Sequence, residues 1–312
     1  MTEKNIKDIL IVGGGTAGMT AALYALRAGN TIEIIENYVH GGQIIVSHEV
    51  DNFPAVPNIT GADFAIKLFE QVEKLGMQMK YENITELDLT SDIKVLKTSK
   101  NEYYGKTVII ATGSARRTLK VPGETKFSGR GVSYCATCDG AFHKDKPVAV
   151  VGGGNTALED AIFLAKTSSI VYLINRSNEF NGDEILIETA ENTPNIKIMH
   201  SSQIMEIKGG QTVTGISVMN GSTNQTEELT LGGVFIAVGV LPNSSLFADV
   251  IDVNEQGYII ANEDCHTNLD GVFAAGDCRT KTLRQLVTAA ADGAVAATEA
   301  NKYIIKKERK SK

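Results

Sequence analysis

Two cysteines separated by two residues, Cys135 and Cys138, are the side chains of this sequence best suited to redox chemistry. At that spacing the two thiols can close a small disulfide ring, and an acid, Asp139, follows them directly. With only four cysteines in the chain, such a pair indicates a redox-active or metal-binding site rather than a disulfide framework. Glycine-rich turns precede and follow this segment. The arrangement therefore indicates electron flow from a nucleotide cofactor to a disulfide.

The first glycine turn has the Gly-x-Gly-x-x-Gly spacing and lies between a strand-like run, residues 8–12, and a helix-like run, residues 19–27. Its glycines allow a tight turn, a close approach of the backbone to a pyrophosphate and close helix–strand packing, while the helix N-terminus favours an anion. Glu36 ends the next strand and is placed to accept hydrogen bonds from ribose hydroxyls. The predicted cofactor contacts of this βαβ unit are Gly13, Gly15, Thr16, Ala17, Gly18 and Glu36.

The second glycine turn repeats this layout after a strand over residues 147–151, with an alanine in the permitted third place. Its candidate nicotinamide-nucleotide contacts are Gly152, Gly154, Asn155, Thr156, Ala157 and Arg176. The step that leads from Gly13 to Glu36 leads from Gly152 to Asn175, which carries no carboxylate. The usual NADH signature is therefore absent from the second copy.

Two similar strand-plus-glycine segments, residues 107–113 and 233–239, come late in each nucleotide-binding half, and a third lies at residues 271–277. This order predicts a first domain built from both chain ends, with the second domain inserted into it. The expected fold class is α/β, with two Rossmann-like dinucleotide-binding domains, each of three ββα layers.

Composition narrows the function further. The chain has 312 residues, a net charge of −7 and 43% hydrophobic residues, which is typical of about two globular domains and argues against a nucleic-acid partner. No apolar run approaches the roughly 20 residues that span a bilayer, and no signal peptide is visible, so no membrane association and a cytoplasmic location are expected. Cys265 and Cys278 are isolated, so no zinc or other metal site is expected, and both are interpreted as small buried residues.

With these motifs in place, the sequence resembles the low-molecular-weight thioredoxin reductases over essentially its whole length. The matching segments are Gly13–Gly18, Gly41–Gln43, Asn52–Pro54, Ala111–Gly113, Cys135–Gly140, Gly152–Ala157, Gly276–Asp277 and Arg284–Gln285. The resemblance implies an FAD-binding domain over residues 1–115 and 245–312. It also implies a domain resembling NAD(P)H-binding domains over residues 116–244, which carries the dithiol.

The resemblance also assigns roles to single residues. The additional FAD contacts that it implies are Gly42, Gln43, Asn52, Ala111, Thr112, Gly113, Gly276, Asp277, Arg284 and Gln285, with Asp277 on the ribityl chain. Cys138 matches the sulfur that takes electrons from the flavin, Cys135 the thiol that attacks thioredoxin, and Asp139 the acid–base group. Thioredoxin as partner and a homodimeric assembly follow from the same resemblance. His143 lies near the dithiol and could serve as a base, but such a histidine is more often a surface loop residue, and we adopt that interpretation.

The segment after the second turn departs from the family. NADPH-binding members carry His-Arg-Arg, three further residues and another arginine there, because guanidinium groups pair with the 2′-phosphate. Here only Arg176 remains, and Glu179 adds an opposing charge. NADPH is therefore uncertain as a cofactor, and NADH or reduced ferredoxin, the donor of a related branch, stays open. Two alternatives also remain: an FAD-dependent dithiol oxidase on the same scaffold, and a non-catalytic flavin-binding regulator.

Overall fold

The computed structural model describes residues 5–47 and 49–310. The α-helices are α1 Thr16–Arg27, α2 Gly61–Glu73, α3 Ala136–Asp139, α4 Asn155–Ala165, α5 Glu184–Glu191 and α6 Leu286–Lys310. The strands are β1 Ile6–Val12, β2 Ile32–Glu36, β3 Met79–Tyr81, β4 Ile84–Asp88, β5 Lys94–Thr98, β6 Glu102–Ile110, β7 Ser114–Arg116, β8 Val132–Ser133, β9 Pro147–Val151, β10 Ile170–Ile174, β11 Ile196–Met199, β12 Ser202–Gly209, β13 Val213–Asn220, β14 Thr226–Thr230, β15 Gly233–Ile236, β16 Val240–Pro242 and β17 Val272–Ala274. None of the helices within these ranges is both long enough and apolar enough to cross a membrane.

The chain divides into two compact units. Unit 1 comprises residues 1–115 and 241–312, and unit 2 comprises residues 116–240. Unit 1 contains a sheet in the order β3-β2-β1-β6-β5-β4, with β17 also paired to β6. The pairings among β3, β2, β1, β6 and β17 are parallel, whereas β5 and β4 continue the sheet in the antiparallel sense. Both chain ends therefore build one sheet, because β17 lies beside β6.

Alternation along β1 explains why unit 1 has three layers. Side chains of Ile9 and Ile11 belong to a core cluster that includes residues of α1 and α6, such as Met19 and Ala297. Leu10 belongs to the opposite cluster, with residues of the β4–β6 region. Successive strand residues point to opposite faces of the sheet, so a continuous apolar strand buries both of its faces.

Unit 2 repeats the design. Five parallel strands lie in the order β11-β10-β9-β15-β8, and an antiparallel sheet contains β12, β13 and β14. Val148 and Val150 of β9 share a core cluster with residues of α4, whereas Ala149 shares one with residues of β12 and β13 such as Ile216. The predicted α/β class with two three-layer units, the second inserted into the first, is confirmed.

Candidate functional site

The first glycine turn leads from β1 into α1 and is shaped by two close backbone approaches. A Cβ atom at Gly18 would lie 1.9 Å from the carbonyl oxygen of Gly13, so only glycine fits there. Gly13 has φ +106°, and its added Cβ would lie 2.4 Å from the carbonyl oxygen of Ala111. At Gly15, by contrast, the nearest atom to such a Cβ would be 3.9 Å away. The turn is therefore tightly packed on the protein side and open at Gly15, as a pyrophosphate cradle requires.

Glu36 ends β2 beside this turn. Its carboxylate accepts hydrogen bonds from the backbone N–H of Gly14 at 2.7 Å and of Tyr38 at 2.9 Å. These bonds fix the carboxylate at the carboxyl end of the strand. A carboxylate offers about four acceptor positions, so it retains capacity for ribose hydroxyls.

The other predicted flavin contacts of unit 1 come from distant parts of the chain. Gly42 opens a 3₁₀ turn, Gly42–Val46, that includes Gln43, and an added Cβ at Gly42 would lie 3.2 Å from Cα of Gly15. Asn52 donates a side-chain hydrogen bond to Gln285 at 3.1 Å across 233 residues of sequence. The fold thus brings Gly42 to the glycine turn and Asn52 to Gln285.

The remaining predicted FAD contacts follow the ends of strands in unit 1. Ala111 and Thr112 follow β6, and the Thr112 hydroxyl donates to the carbonyl oxygen of Asn243 at 2.6 Å. Asp277 lies in the 3₁₀ turn Gly276–Cys278, shortly after the neighbouring strand β17. Because β6 and β17 are parallel neighbours, Ala111 and Gly276 both follow carboxyl ends at one edge of the sheet, where such folds bind dinucleotides.

Arg284 provides a test of whether unit 1 suits a bound group. Its guanidinium lies 3.9 Å above the ring centroid of Tyr258, and Nη2 makes a long contact of 3.4 Å with the carbonyl oxygen of Arg279. Its Nε is buried and has no hydrogen-bond partner among residues 5–47 and 49–310. A buried donor of this kind suits a ligand that supplies acceptors, as FAD does, and the open turn at Gly15 fits its pyrophosphate.

The dithiol lies in unit 2, where β8 leads into α3. Cys135 directly precedes α3, Cys138 lies within it, and their sulfurs form a disulfide. The hydroxyl of Ser133 at the end of β8 donates to the Asp139 carboxylate at 2.5 Å and accepts the backbone N–H of Cys135 at 3.1 Å. The serine therefore joins the acid to the backbone of the first cysteine. Sequence reasoning missed Ser133; its position two residues before the first cysteine was the available signal.

His143 corrects one expectation. The interpretation as a surface loop residue is wrong, because the side chain is buried and packs edge-on against Phe235. Burial, with a smaller contribution from Lys146, holds the pKa of His143 below its usual range. A neutral imidazole packed among apolar side chains contributes to the core of unit 2 rather than to a surface loop.

The second glycine turn is also tightly built. An added Cβ at Gly152 would lie 2.3 Å from the carbonyl oxygen of Ala237, and Ala157 is fully buried. At Gly154 the nearest atom to such a Cβ would be 3.6 Å away, so the backbone stays open there. Asn155 accepts the backbone N–H of Asp183 at 2.7 Å and ties the following loop to the turn.

Asn175 occupies the position in unit 2 that Glu36 occupies in unit 1, but its side chain bonds to its own loop. Its side chain is buried, donates to the carbonyl oxygen of Glu179 at 2.7 Å and accepts the N–H of Ser177 at 3.2 Å. The amide therefore closes the 175–179 loop. Arg176 and Glu179 are exposed on this loop, and Thr156 is exposed at the start of α4.

The two remaining cysteines are separated from this chemistry. Cys265 and Cys278 are fully buried free thiols in unit 1. Burial raises the pKa of Cys265 to about 12 and also raises the pKa of Cys278. Within the described residues, no three or more His, Cys, Asp or Glu side chains cluster as metal ligands would. Both thiols therefore act as small core residues.

Comparison with known proteins extends these findings. Residues 7–293 match the family described as pyridine nucleotide-disulphide oxidoreductase. The chain is 43% identical over 308 residues to the thioredoxin reductase of Peptoclostridium acidaminophilum, which covers 96% of this chain and 98% of that protein. The crystal structure of thioredoxin reductase from Streptococcus pyogenes MGAS5005 superposes with a TM-score of 0.94 at 38% identity, covering 97% of this chain and all of that one. A ferredoxin-flavin thioredoxin reductase from Clostridium acetobutylicum gives 0.52 at 28% identity, covering 96% and 98%.

Proposed function

Because this chain belongs to the pyridine nucleotide-disulphide oxidoreductase family, we infer that it is an FAD-dependent disulfide reductase that acts on thioredoxin. The observation that carries the inference is the Cys135–Cys138 disulfide, placed at the start of α3 and linked through Ser133 to the Asp139 carboxylate. Relatives named thioredoxin reductase support the substrate, since they match almost the whole chain.

The dithiol passes electrons from the flavin to thioredoxin by thiol–disulfide exchange. FAD held by unit 1 would supply the two electrons that reduce the disulfide. With two protons, the Cys135–Cys138 bond opens to two thiols. The Cys135 thiolate then attacks the disulfide of thioredoxin and forms a mixed disulfide. The Cys138 thiolate attacks the Cys135 sulfur of this mixed disulfide, which restores the Cys135–Cys138 bond and releases thioredoxin as a dithiol. One dithiol has been oxidised and one disulfide reduced, and Asp139 is placed to move the proton of the departing thiol.

The two units divide this work. Unit 1 would hold FAD through the open turn at Gly15, the carboxylate of Glu36 and the Asp277 turn. Unit 2 carries the dithiol and a second dinucleotide turn at Gly154. In this assignment, the division of function follows the division of the chain after Ala115 and after Val240.

A nicotinamide dinucleotide is the donor that unit 2 favours. Its glycine turn is as closely packed as that of unit 1 and opens onto the first turn of α4, as pyrophosphate binding requires. Exposed Arg176 is the remaining candidate for a 2′-phosphate, and Glu179 lies on the same short loop. We therefore expect little discrimination between NADPH and NADH. Reduced ferredoxin is the second candidate, favoured by the absence of the other two arginines.

A homodimer in the cytoplasm completes the proposal. Disulfides of cytosolic proteins are usually catalytic, and this chain pairs Cys135 with Cys138 while Cys265 and Cys278 remain free thiols. Sedimentation velocity should give twice the chain mass of 33.4 kDa. A monomer at micromolar concentration would contradict the proposed homodimer but would not affect the proposed disulfide reductase activity.

The proposed function can be tested without knowing the physiological electron donor, because dithionite can reduce the flavin directly. The FAD-loaded protein is reduced with stoichiometric dithionite under anaerobic conditions and mixed with oxidised thioredoxin. We expect one thioredoxin dithiol per reduced chain, and none from Cys135→Ser or Cys138→Ser. Cys265→Ala is the matched control, because it removes a buried thiol of unit 1.

The two alternatives give different products. A dithiol oxidase would consume oxygen and a small dithiol and form peroxide, with no transfer to thioredoxin. A flavin-binding regulator would show the same thioredoxin signal in wild type and Cys135→Ser. Either result would replace the proposed function.

A further inference from the structure

Asp292 is a buried carboxylate in the second turn of α6 that accepts hydrogen bonds from four donor atoms. Oδ2 accepts the backbone N–H of Gly276 at 2.9 Å, Nε of Arg279 at 2.8 Å and Nζ of Lys281 at 2.8 Å. Oδ1 accepts Nη2 of Arg279 at 2.9 Å. These four bonds use the acceptor capacity of a carboxylate completely. Asp292 is therefore held in one position and holds its donors in turn.

The charge of Asp292 is stabilised by these contacts. Burial alone would raise the pKa of Asp292, but the bonds from Arg279 and Lys281 outweigh it, so the pKa lies below its usual range. Arg279 is itself 3% exposed and binds with two nitrogens, in the fork geometry that fixes orientation as well as distance. The carboxylate stays ionised and directional at neutral pH.

The first of these donors belongs to the Asp277 turn. Gly276 has φ +79° and begins the 3₁₀ turn Gly276–Cys278, so its N–H bond to Asp292 fixes the residue immediately before Asp277. Arg279 follows the turn directly, and its backbone N–H closes onto the carbonyl oxygen of Gly276 at 3.3 Å. Asp292 thus holds both ends of the turn.

Gly276 and Gly293, the neighbours of Asp277 and Asp292, both pack against α1, the helix that follows the first glycine turn. An added Cβ at Gly276 would lie 2.9 Å from Cβ of Ala17, and one at Gly293 would lie 2.2 Å from the carbonyl oxygen of Ala17. Helix α6 therefore lies against the first turn of α1 at the residue next to Asp292. A shift of Asp292 would be transmitted to both FAD-binding segments.

We propose that Asp292 is a positioning residue of the FAD site, which holds the Gly276–Cys278 turn through Gly276 and Arg279 and thereby aims the Asp277 carboxylate. The proposal deepens the proposed function and rests on it. Asp292 acts through the turn and does not itself contact the cofactor. The charge of the aspartate is needed because an amide at this position cannot accept from two cationic groups and one backbone donor at once.

The test uses the full chain stripped of FAD and titrated with FAD while flavin fluorescence is followed. Asp292→Asn should raise the dissociation constant for FAD at least about tenfold, which corresponds to about 1.4 kcal/mol. With saturating FAD, the visible spectrum of this variant should also differ from wild type, because the Asp277 turn has moved.

Glu124→Gln is the matched control. Glu124 is a buried carboxylate of unit 2 that accepts the backbone N–H groups of Leu119 and Lys120 and the Tyr134 hydroxyl. Glu124→Gln should lower stability towards urea and leave both the affinity for FAD and the visible spectrum of bound FAD unchanged. A purely structural role for Asp292 would give the same pattern in both variants and would overturn the proposal.

Arg279→Lys keeps the proposal testable if Asp292→Asn does not fold. Lysine preserves the charge and loses the two-nitrogen fork. We expect weaker FAD binding and an altered bound spectrum with unchanged far-ultraviolet circular dichroism. Wild-type affinity in Arg279→Lys, or in a folded Asp292→Asn, would overturn the positioning role. Failure of the wild-type protein to bind FAD would instead refute the proposed function.

Discussion

The hydroxyl of Ser133 donates to the carboxylate of Asp139 across 2.5 Å and also accepts the backbone N–H of Cys135. The acid that follows the dithiol is therefore oriented by a residue that precedes it. Ser133 is 5% exposed, so water does not replace this bond readily. We therefore expect Ser133 to position Asp139 for proton transfer at the dithiol.

Ser133→Ala should lower the rate of thioredoxin reduction about tenfold, the effect of losing a hydrogen bond of roughly 1.5 kcal/mol to a charged group. The pH profile of the rate should change with it, because Asp139 loses its orientation. Ser168→Ala is the control, since Ser168 is a buried serine of unit 2 whose Oγ has no hydrogen-bond partner in the described chain. Equal rates in both variants would show that Ser133 does not act on the acid.

The donor preference is predicted from the loop that follows Asn175. Both NADPH and NADH should bleach the flavin of the anaerobic protein, and Arg176→Ala should raise KM for NADPH about tenfold through loss of one charge-assisted contact, with little change for NADH. Arg130→Ala removes another exposed arginine of unit 2 and should affect neither. Bleaching by reduced ferredoxin alone would identify the second turn as a packing element.

Stability should depend on pH through Asp160 in α4. Burial, with a contribution from Glu159, raises the pKa of Asp160 to about 7 from 3.8. Between these two values the folded chain binds the proton more tightly than the unfolded chain, so stability is greatest at low pH and falls as pH rises towards 7. Urea denaturation at pH 8 should therefore give Asp160→Asn a free energy of unfolding about 1–3 kcal/mol higher than that of wild type.

At pH 3, which lies below both pKa values, the same two proteins should differ little, because Asp160 is then mostly protonated in both states. Glu159→Gln is the paired variant and should give a smaller gain, since Glu159 is the lesser cause of the shift. Parallel pH curves for wild type and Asp160→Asn would show that folding does not raise the pKa of Asp160.

Alkylation should separate the four cysteines into two classes. After reduction of the native protein, iodoacetamide should modify Cys135 and Cys138, because both are only half-buried. Cys265 and Cys278 are 0% exposed with raised pKa values, so they should react only in urea. Mass spectrometry of the native sample should show two adducts, and a third adduct would mean that unit 1 opens on the labelling timescale.

The sequence by itself determined the two glycine turns, the strands and helices beside them and the CxxC dithiol. These features are local: a residue such as Gly18 is required by contacts with Gly13, five positions away. The same reasoning located Asn175 as the residue in place of an acid. The α/β class with an inserted second unit followed from the order of these local signals.

Only the tertiary structure decided how distant side chains meet. Asn52 and Gln285 are 233 residues apart, and Asp292 reaches Gly276 because α6 lies against the start of α1. Burial likewise decided that His143 is a core residue, since periodicity around a short 3₁₀ turn gives no sign of which face is covered. Hydrogen bonds and desolvation depend on three-dimensional neighbours, which the linear order of residues does not specify.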